Sequence, residues 1–144
     1  MLSKASKYAI RAVLLIANSA CKNNKIGSKK LATELNIPAP FLAKTLQELT
    51  KSNIISSVKG PHGGFYLSKE SENKTLFNII DCVDDIEKFN KCYLGKQECS
   101  EEKPCVVHHL YYPFKNELIK KLQTKTILEM ADEYANNNNL KQLL

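Results

Sequence analysis

Three of the chain's five cysteines lie in one short stretch, CYLGKQECSEEKPCVVH, residues 92–108. Six residues lie between Cys92 and Cys99, five between Cys99 and Cys105, and two between Cys105 and His108. Thiolates and imidazoles are the usual protein ligands of zinc and of iron–sulfur clusters. Structural zinc sites generally pair their ligands across about two to four residues. The gaps between these cysteines are wider. They suit a larger object, such as an iron–sulfur cluster, which needs four ligands around an inorganic core. On chemistry alone zinc and iron–sulfur both stand, beside the plainer reading of exposed thiols with no ligand. Cys21, after the first helix, and Cys82, near an apolar stripe, read as small core residues.

An odd number of cysteines, with nothing pointing to secretion, argues for ligands or redox-active thiols rather than structural disulfides. The start, MLSKASKYAIRAVLLIANSA, superficially suggests a signal peptide. Arg11 interrupts its apolar part, and the spacing is that of an amphipathic helix belonging to the fold. No apolar run approaches the roughly 18 residues that a membrane span needs. A cytoplasmic protein is expected. There is no C-x-x-C pair and no glycine-rich cofactor motif, so a thiol redox enzyme is disfavoured.

The elements that must position these residues follow from periodicity. The 144 residues are enough for one domain with a real core. In 4–20, Tyr8, Ala9, Ala12, Val13, Ile16 and Ala17 recur at helical spacing, with Ser3 as N-cap. Ser28 is expected to cap a short second helix, with Leu31 and Leu35 inward and Asn36 at its end. After IPAP, a third helix carries Leu42, Leu46 and Leu49 on one face, with Pro40 in its first turn. Two short helices joined by a tight turn make a helix-turn-helix candidate, although a plain helical hairpin has the same pattern. Ile54, Ile55 and Val58, then GPHGG, then Phe65-Tyr66-Leu67 read as a two-stranded hairpin with a glycine-rich tip. A hairpin directly after a helix-turn-helix is a winged helix, with Lys59 and His62 at the wing tip.

A fourth helix is expected from Thr75, with Leu76, Ile79, Ile80 and Val83 on one face. VVHHLYYPFKNELIKKLQ reads as a long helix striped by Leu110, Phe114, Leu118, Ile119 and Leu122. Pro113 should kink it or sit near its first turn. Thr126 to Glu129 is a capping-box pattern opening a last helix, and the asparagine-rich tail reads as polar and frayed.

The net charge of +6 is uneven: residues 1–74 hold 12 Lys/Arg against 4 Asp/Glu, and residues 75–144 hold 9 against 11. The basic first half, with Lys29 and Lys30 opening the second helix, has the footprint of a polyanion binder.

SKYAIRAVLLIA, FLAKTLQELTKSNIISSVKGPHGGFYLS and the three cysteines with CVVH together resemble the Rrf-type (BadM-type) winged-helix transcription regulators. That family includes iron–sulfur and nitric-oxide sensing members. The resemblance covers nearly the whole chain. It implies a mainly α fold with a small β-hairpin wing: a winged helix-turn-helix over 1–84, a cysteine-rich cluster loop over 85–105, and a dimerisation helix and C-terminal helix over 106–144. It implies a homodimer reading double-stranded DNA at a palindromic operator. Pro40, Phe41 and Lys44 would start the recognition helix, and Lys59 would be the basic wing residue. Cys92, Cys99 and Cys105 match the cluster thiols, and His108 the histidine that completes a 2Fe–2S site in some members.

Other members complete the site with a carboxylate from the first helix of the partner subunit. Here the corresponding residue is Lys7, and no Asp or Glu occurs before Glu34. His108 is thus the best fourth ligand, adjacent His109 is a weaker rival, and 2Fe–2S is favoured over 4Fe–4S. Position 43 is Ala, where some relatives carry a polar or acidic base-reading residue, so no target sequence carries over. Members without a cluster exist, including ones that respond through a partner protein. The expected function is a dimeric regulator, most often a repressor in this family, sensing iron–sulfur status, nitric oxide or redox state. The rival keeps the DNA-binding fold with zinc or no metal.

Overall fold

A computed structural model describes residues 2–20, 25–95 and 99–137 of the chain. Cys21 and the tail from residue 138 lie outside the described residues.

The first helix, α1 (Lys4–Ala20), is the mast around which the rest is built. Its cap is the expected one: the Ser6 N–H donates to Ser3 Oγ at 3.1 Å. Ala9, Ala12, Val13 and Ile16 are fully buried, as the periodicity requires. Leu14 and Leu15 are buried as well, which a single stripe does not account for. The reason is tertiary: helices and a strand from later in the chain all pack on α1, so more than one of its faces is covered.

Helices α2 (Ser28–Leu35) and α3 (Ala39–Lys51) pack on each other and on α1 through Leu31, Leu35, Leu42, Leu46 and Leu49. The cap of α2 is Gly27, not Ser28, which is the helix's first residue. Ile26 is bridged to Phe65 by two hydrogen bonds of 3.0 and 2.9 Å. That bridge pins the chain up to residue 26, so the turn into the helix falls one residue early. Asn36 ends α2 in the left-handed conformation at φ 51°, a position asparagine tolerates well. Arg11 of α1 donates to the Leu35 carbonyl at 2.6 Å, placing a cation on the helix C-terminus.

The hairpin pairs β1 (Ser56–Val58) with β2 (Gly64–Tyr66), with Ser57 opposite Phe65. Gly63 donates to the Gly60 carbonyl at 3.0 Å across the tip. A Cβ on Gly63 would sit well inside contact distance of the Val58 carbonyl, so this turn requires glycine. A short helix, α4 (Lys69–Glu72), had no sequence signal. It buries Ser71, whose hydroxyl donates to the Asn53 carbonyl at 3.0 Å just past α3.

Two capping boxes then lie side by side. Thr75 with Asn78 opens α5 (Leu76–Val83), and Thr126 with Glu129 opens α7 (Ile127–Asn136). The Ile127 N–H donates to the Lys74 carbonyl at 2.8 Å, and the Leu76 N–H to the Lys125 carbonyl at 3.2 Å. These bonds bring α7 against α1, with Ile127 and Ala131 in the same core as α2 and α3. Between them runs α6 (His108–Thr124), with Pro113 in its second turn. Proline there removes the N–H that would bond the His109 carbonyl. Only the second half of α6 joins the core: Leu122 is buried and Leu118 and Ile119 partly so, whereas Leu110 and Phe114 are exposed. The expected five-residue stripe is therefore split between the core and the surface. No helix among the described residues is long and apolar enough to cross a membrane.

Candidate DNA interface and thiol site

The seven residues expected to meet DNA are all exposed. Lys29 and Lys30 stand on the first turn of α2, Pro40, Phe41 and Lys44 on the first turns of α3, and Lys59 and His62 at the wing. Lys30 is not wholly free, since Glu34 lies 3.7 Å away one turn on. Both side chains are exposed, so the pair is weak and a phosphate can displace it. Phe41 has a second role. It is 43% exposed, yet its ring meets Tyr8 of α1 edge-on, with centroids 5.3 Å apart. An aromatic pair of this kind fixes where α3 leaves α1, so Phe41 is in part a structural residue. The wing is held by the Ile26–Phe65 bridge, which ties it to the segment entering α2. The helix pair and the wing are thus tied to each other and packed on α1.

The thiol segment begins after a 3-10 turn, Ile86–Asn90, that is anchored from α1. Ser6 is fully buried, and its hydroxyl donates to Asp84 Oδ2 at 3.0 Å. The other oxygen, Oδ1, pairs with Lys88 and accepts from the Asp85 N–H at 2.9 Å. Burial opposes the Asp84 charge, but hydrogen bonds from Lys88, Ser3, Ser6 and the Asp85 N–H outweigh it. They hold the carboxyl well below the usual carboxylate range. The N-terminus of α1, the end of α5 and the root of the thiol segment therefore share one carboxylate. No motif announces it, since its partners lie 78 positions apart in the chain.

Cys92 is 7% exposed and opens a tight turn in which the Gly95 N–H donates to the Cys92 carbonyl at 2.9 Å. Cys99 is tied back by its N–H to the Asn90 carbonyl at 2.9 Å. Its Sγ lies 3.5 Å from Nδ1 of His108, the first residue of α6. Cys105 is half-buried, and its carbonyl accepts from the His108 N–H at 3.0 Å. Tyr111, one turn along, feels both Cys92 and Cys99. Burial pushes its hydroxyl's pKa up, and Cys99, Tyr93 and Cys92 add to the shift. Cys99 and His108 are thus in contact, and Cys92 stands near. Among the described residues no three His, Cys, Asp or Glu side chains are gathered closely enough to hold a single metal ion. His109 is exposed.

The donor set suits an iron–sulfur cluster: three thiols and one imidazole, carried on one short segment against a helix N-terminus. Sequence reasoning passed over Tyr111, Tyr112 and Lys115. They lie one or two turns from His108, which is the signal that could have found them. Cys82 is half-buried and hydrogen-bonds the Glu48 carbonyl at 3.3 Å, and burial pushes its thiol up. It is a packing residue, as its place near the apolar stripe suggested.

A trihelical core, a glycine-tipped wing pinned to the helix-turn-helix, and exposed lysines on both define a winged-helix DNA-binding protein. The family model of the Rrf2 regulators, described as iron-dependent transcriptional regulators, matches residues 2–133. The chain belongs to the Rrf2 family. It is 35% identical over 128 residues to an HTH-type transcriptional regulator of Aquifex aeolicus, covering 88% of each chain. It is 28% identical over 134 residues to the HTH-type transcriptional regulator IscR of Escherichia coli, covering 91% of this chain and 80% of that one. Among solved structures, CymR, the global cysteine regulator of B. subtilis, superposes with a TM-score of 0.73 at 17% identity, covering 92% of this chain and 97% of that one. IscR of T. potens superposes with a TM-score of 0.69 at 17% identity, covering 95% and 91%. The chain is a DNA-binding transcription regulator and not an enzyme.

Proposed function

We propose that this regulator is a homodimer that reads a palindromic operator and carries an iron–sulfur cluster, 2Fe–2S rather than 4Fe–4S, as its sensor. Residues 1–84 read DNA, 85–105 hold the cluster, and 106–144 make the dimer and close the core. The observation that carries the reading is the 3.5 Å contact of Cys99 Sγ with His108 Nδ1 at the start of α6. With Cys92 and Cys105 this offers three thiolates and an imidazole, and no helix-one carboxylate competes. A bound cluster supplies a group that iron–sulfur status, nitric oxide or oxidants can remove or oxidise.

The chain's own residues do the rest. Asp84 ties the root of the thiol segment to the N-terminus of α1, against which α3 is packed. Reordering of the segment is therefore felt at the reading helix. Val106, Leu110 and Phe114 are 81%, 68% and 50% exposed and recur every fourth residue. That apolar strip supports a dimer made through α6, beside the sensor. Half-site spacing is set by dimer geometry, so a small rotation there changes operator affinity. Lys29, Lys30, Lys44, Lys59 and His62 supply the salt-dependent contact with phosphates, and Pro40 and Phe41 set the entry of α3 into the major groove.

The test is anaerobic purification with an absorption spectrum and iron, sulfide and zinc analysis, on wild type and His108→Ala. About two irons and two sulfides per chain, with visible bands altered in the variant, is the expected result. Stoichiometric zinc, or a colourless metal-free protein that still binds duplex DNA, refutes the cluster. The second reading, zinc or a bare thiol sensor on the same DNA-binding fold, is favoured by one observation. Among the described residues the donors are not gathered into a three-ligand group.

A further inference from the structure

His108, Tyr112 and Lys115 stand at positions i, i+4 and i+7 of α6, on one face of the helix. The His108 imidazole stacks on the Tyr112 ring, with centroids 4.6 Å apart and planes 22° from parallel. Lys115 Nζ lies 4.9 Å from the centroid of the same ring. Lys115 is 4% exposed. A lysine so deeply buried is rare unless an anion faces it. The tyrosine ring returns only part of the desolvation cost. Among the described residues no carboxylate forms an ion pair with Lys115. The other end of the stack reaches the thiol site, where His108 Nδ1 meets Cys99 Sγ. The Tyr112 ring therefore touches both the Lys115 ammonium and the His108 imidazole, and the imidazole in turn meets the Cys99 thiol.

We propose that Tyr112 and Lys115 form a positioning arm behind His108, in which Tyr112 fixes the imidazole plane and Lys115 is the buried countercharge of an anionic metal–thiolate group on the cysteines. The inference rests on the cluster reading above and names residues of this chain that tune it. Three thiolates and the sulfides outweigh the iron charge, so such a group is negative, and more so after reduction. A fixed cation nearby stabilises the reduced state more than the oxidised one and raises the reduction potential. A stacked ring behind a ligating histidine holds its orientation, as outer-shell partners generally do.

The full-length chain, reconstituted anaerobically, is compared as wild type, Lys115→Met, Lys115→Arg and Tyr112→Leu. Lys115→Met should lower the midpoint potential at unchanged iron and sulfide content, and Lys115→Arg should return it near wild type. Tyr112→Leu should alter the electron paramagnetic resonance spectrum of the reduced cluster. In the metal-free protein, Lys115→Met should melt at or above the wild-type temperature, because it removes a buried charge that no carboxylate among the described residues balances. A merely structural lysine predicts the opposite. If Lys115→Met does not fold, Lys115→Gln serves in its place. An unchanged potential, or a lowering that Lys115→Arg does not reverse, overturns the proposal and leaves the cluster standing. A wild type that takes up no iron and sulfide overturns the cluster reading first, and this one with it.

Discussion

Asp84→Ala tests whether the regulator's two halves are joined where the structure joins them. Asp84 accepts from Ser6 at 3.0 Å and pairs with Lys88, and its side chain is only 8% exposed. Ser6 is fully buried, so removing the carboxylate takes from its hydroxyl a charged acceptor and leaves only the longer contact with the Ser3 hydroxyl at 3.3 Å. That costs roughly 1–3 kcal/mol. The charge-assisted character of the lost bonds adds to it, whereas the half-exposed Lys88 adds under about 1 kcal/mol. The expected total is about 3 kcal/mol, or a fall in Tm of roughly 10 °C for a chain of this size. Urea and thermal unfolding of the metal-free protein measure it.

Ser6→Ala and Asp84→Ala together should cost less than the sum of the two singles, since they break one network. The pH dependence has a fixed sign. The folded carboxyl is depressed below its ordinary value, so its contribution is complete above the unfolded pKa near roughly 4. It fades as pH falls from there toward the lower folded value. Near pH 2 wild type and Asp84→Ala should differ far less than at pH 7. A loss under about 0.5 kcal/mol at pH 7, or strictly additive losses in the double variant, would refute the coupling.

Three further outcomes are expected. Lys44→Ala and Lys59→Ala should each weaken duplex binding across all sequences and reduce the log–log salt slope by about one, read by fluorescence anisotropy at several salt concentrations. Gly63→Ala should destabilise the wing by about 2 kcal/mol through its clash with the Val58 carbonyl and impair duplex binding, whereas Gly60→Ala, with open space around it but a φ of +109°, is opposed by backbone strain and not by a clash. Leu110→Lys with Phe114→Lys should leave the monomer's fold intact and shift the protein to monomer in sedimentation, because both side chains face solvent in a single chain; an unchanged dimer places the interface elsewhere.

Periodicity and local chemistry reached far in this protein. The caps at Ser3 and Thr126, the helix start at Thr75, the stop at Asn36 and the GPHGG wing tip are all legible because each depends on neighbours within four residues. The family resemblance rests on the same local segments. So does the spacing of Cys92, Cys99, Cys105 and His108. Tertiary structure alone decided the rest, and for one reason: the deciding partners are far apart in the chain. Gly27 rather than Ser28 caps α2 because Phe65 pins Ile26. Leu14 and Leu15 are buried because elements distant in the chain pack on more than one face of α1. Leu110 and Phe114 share a stripe with Leu122 but not its burial, because the core ends partway along α6. Asp84 meets Ser6 across 78 positions, and only the fold brings the thiol segment's root to the helix on which the DNA-reading unit is built.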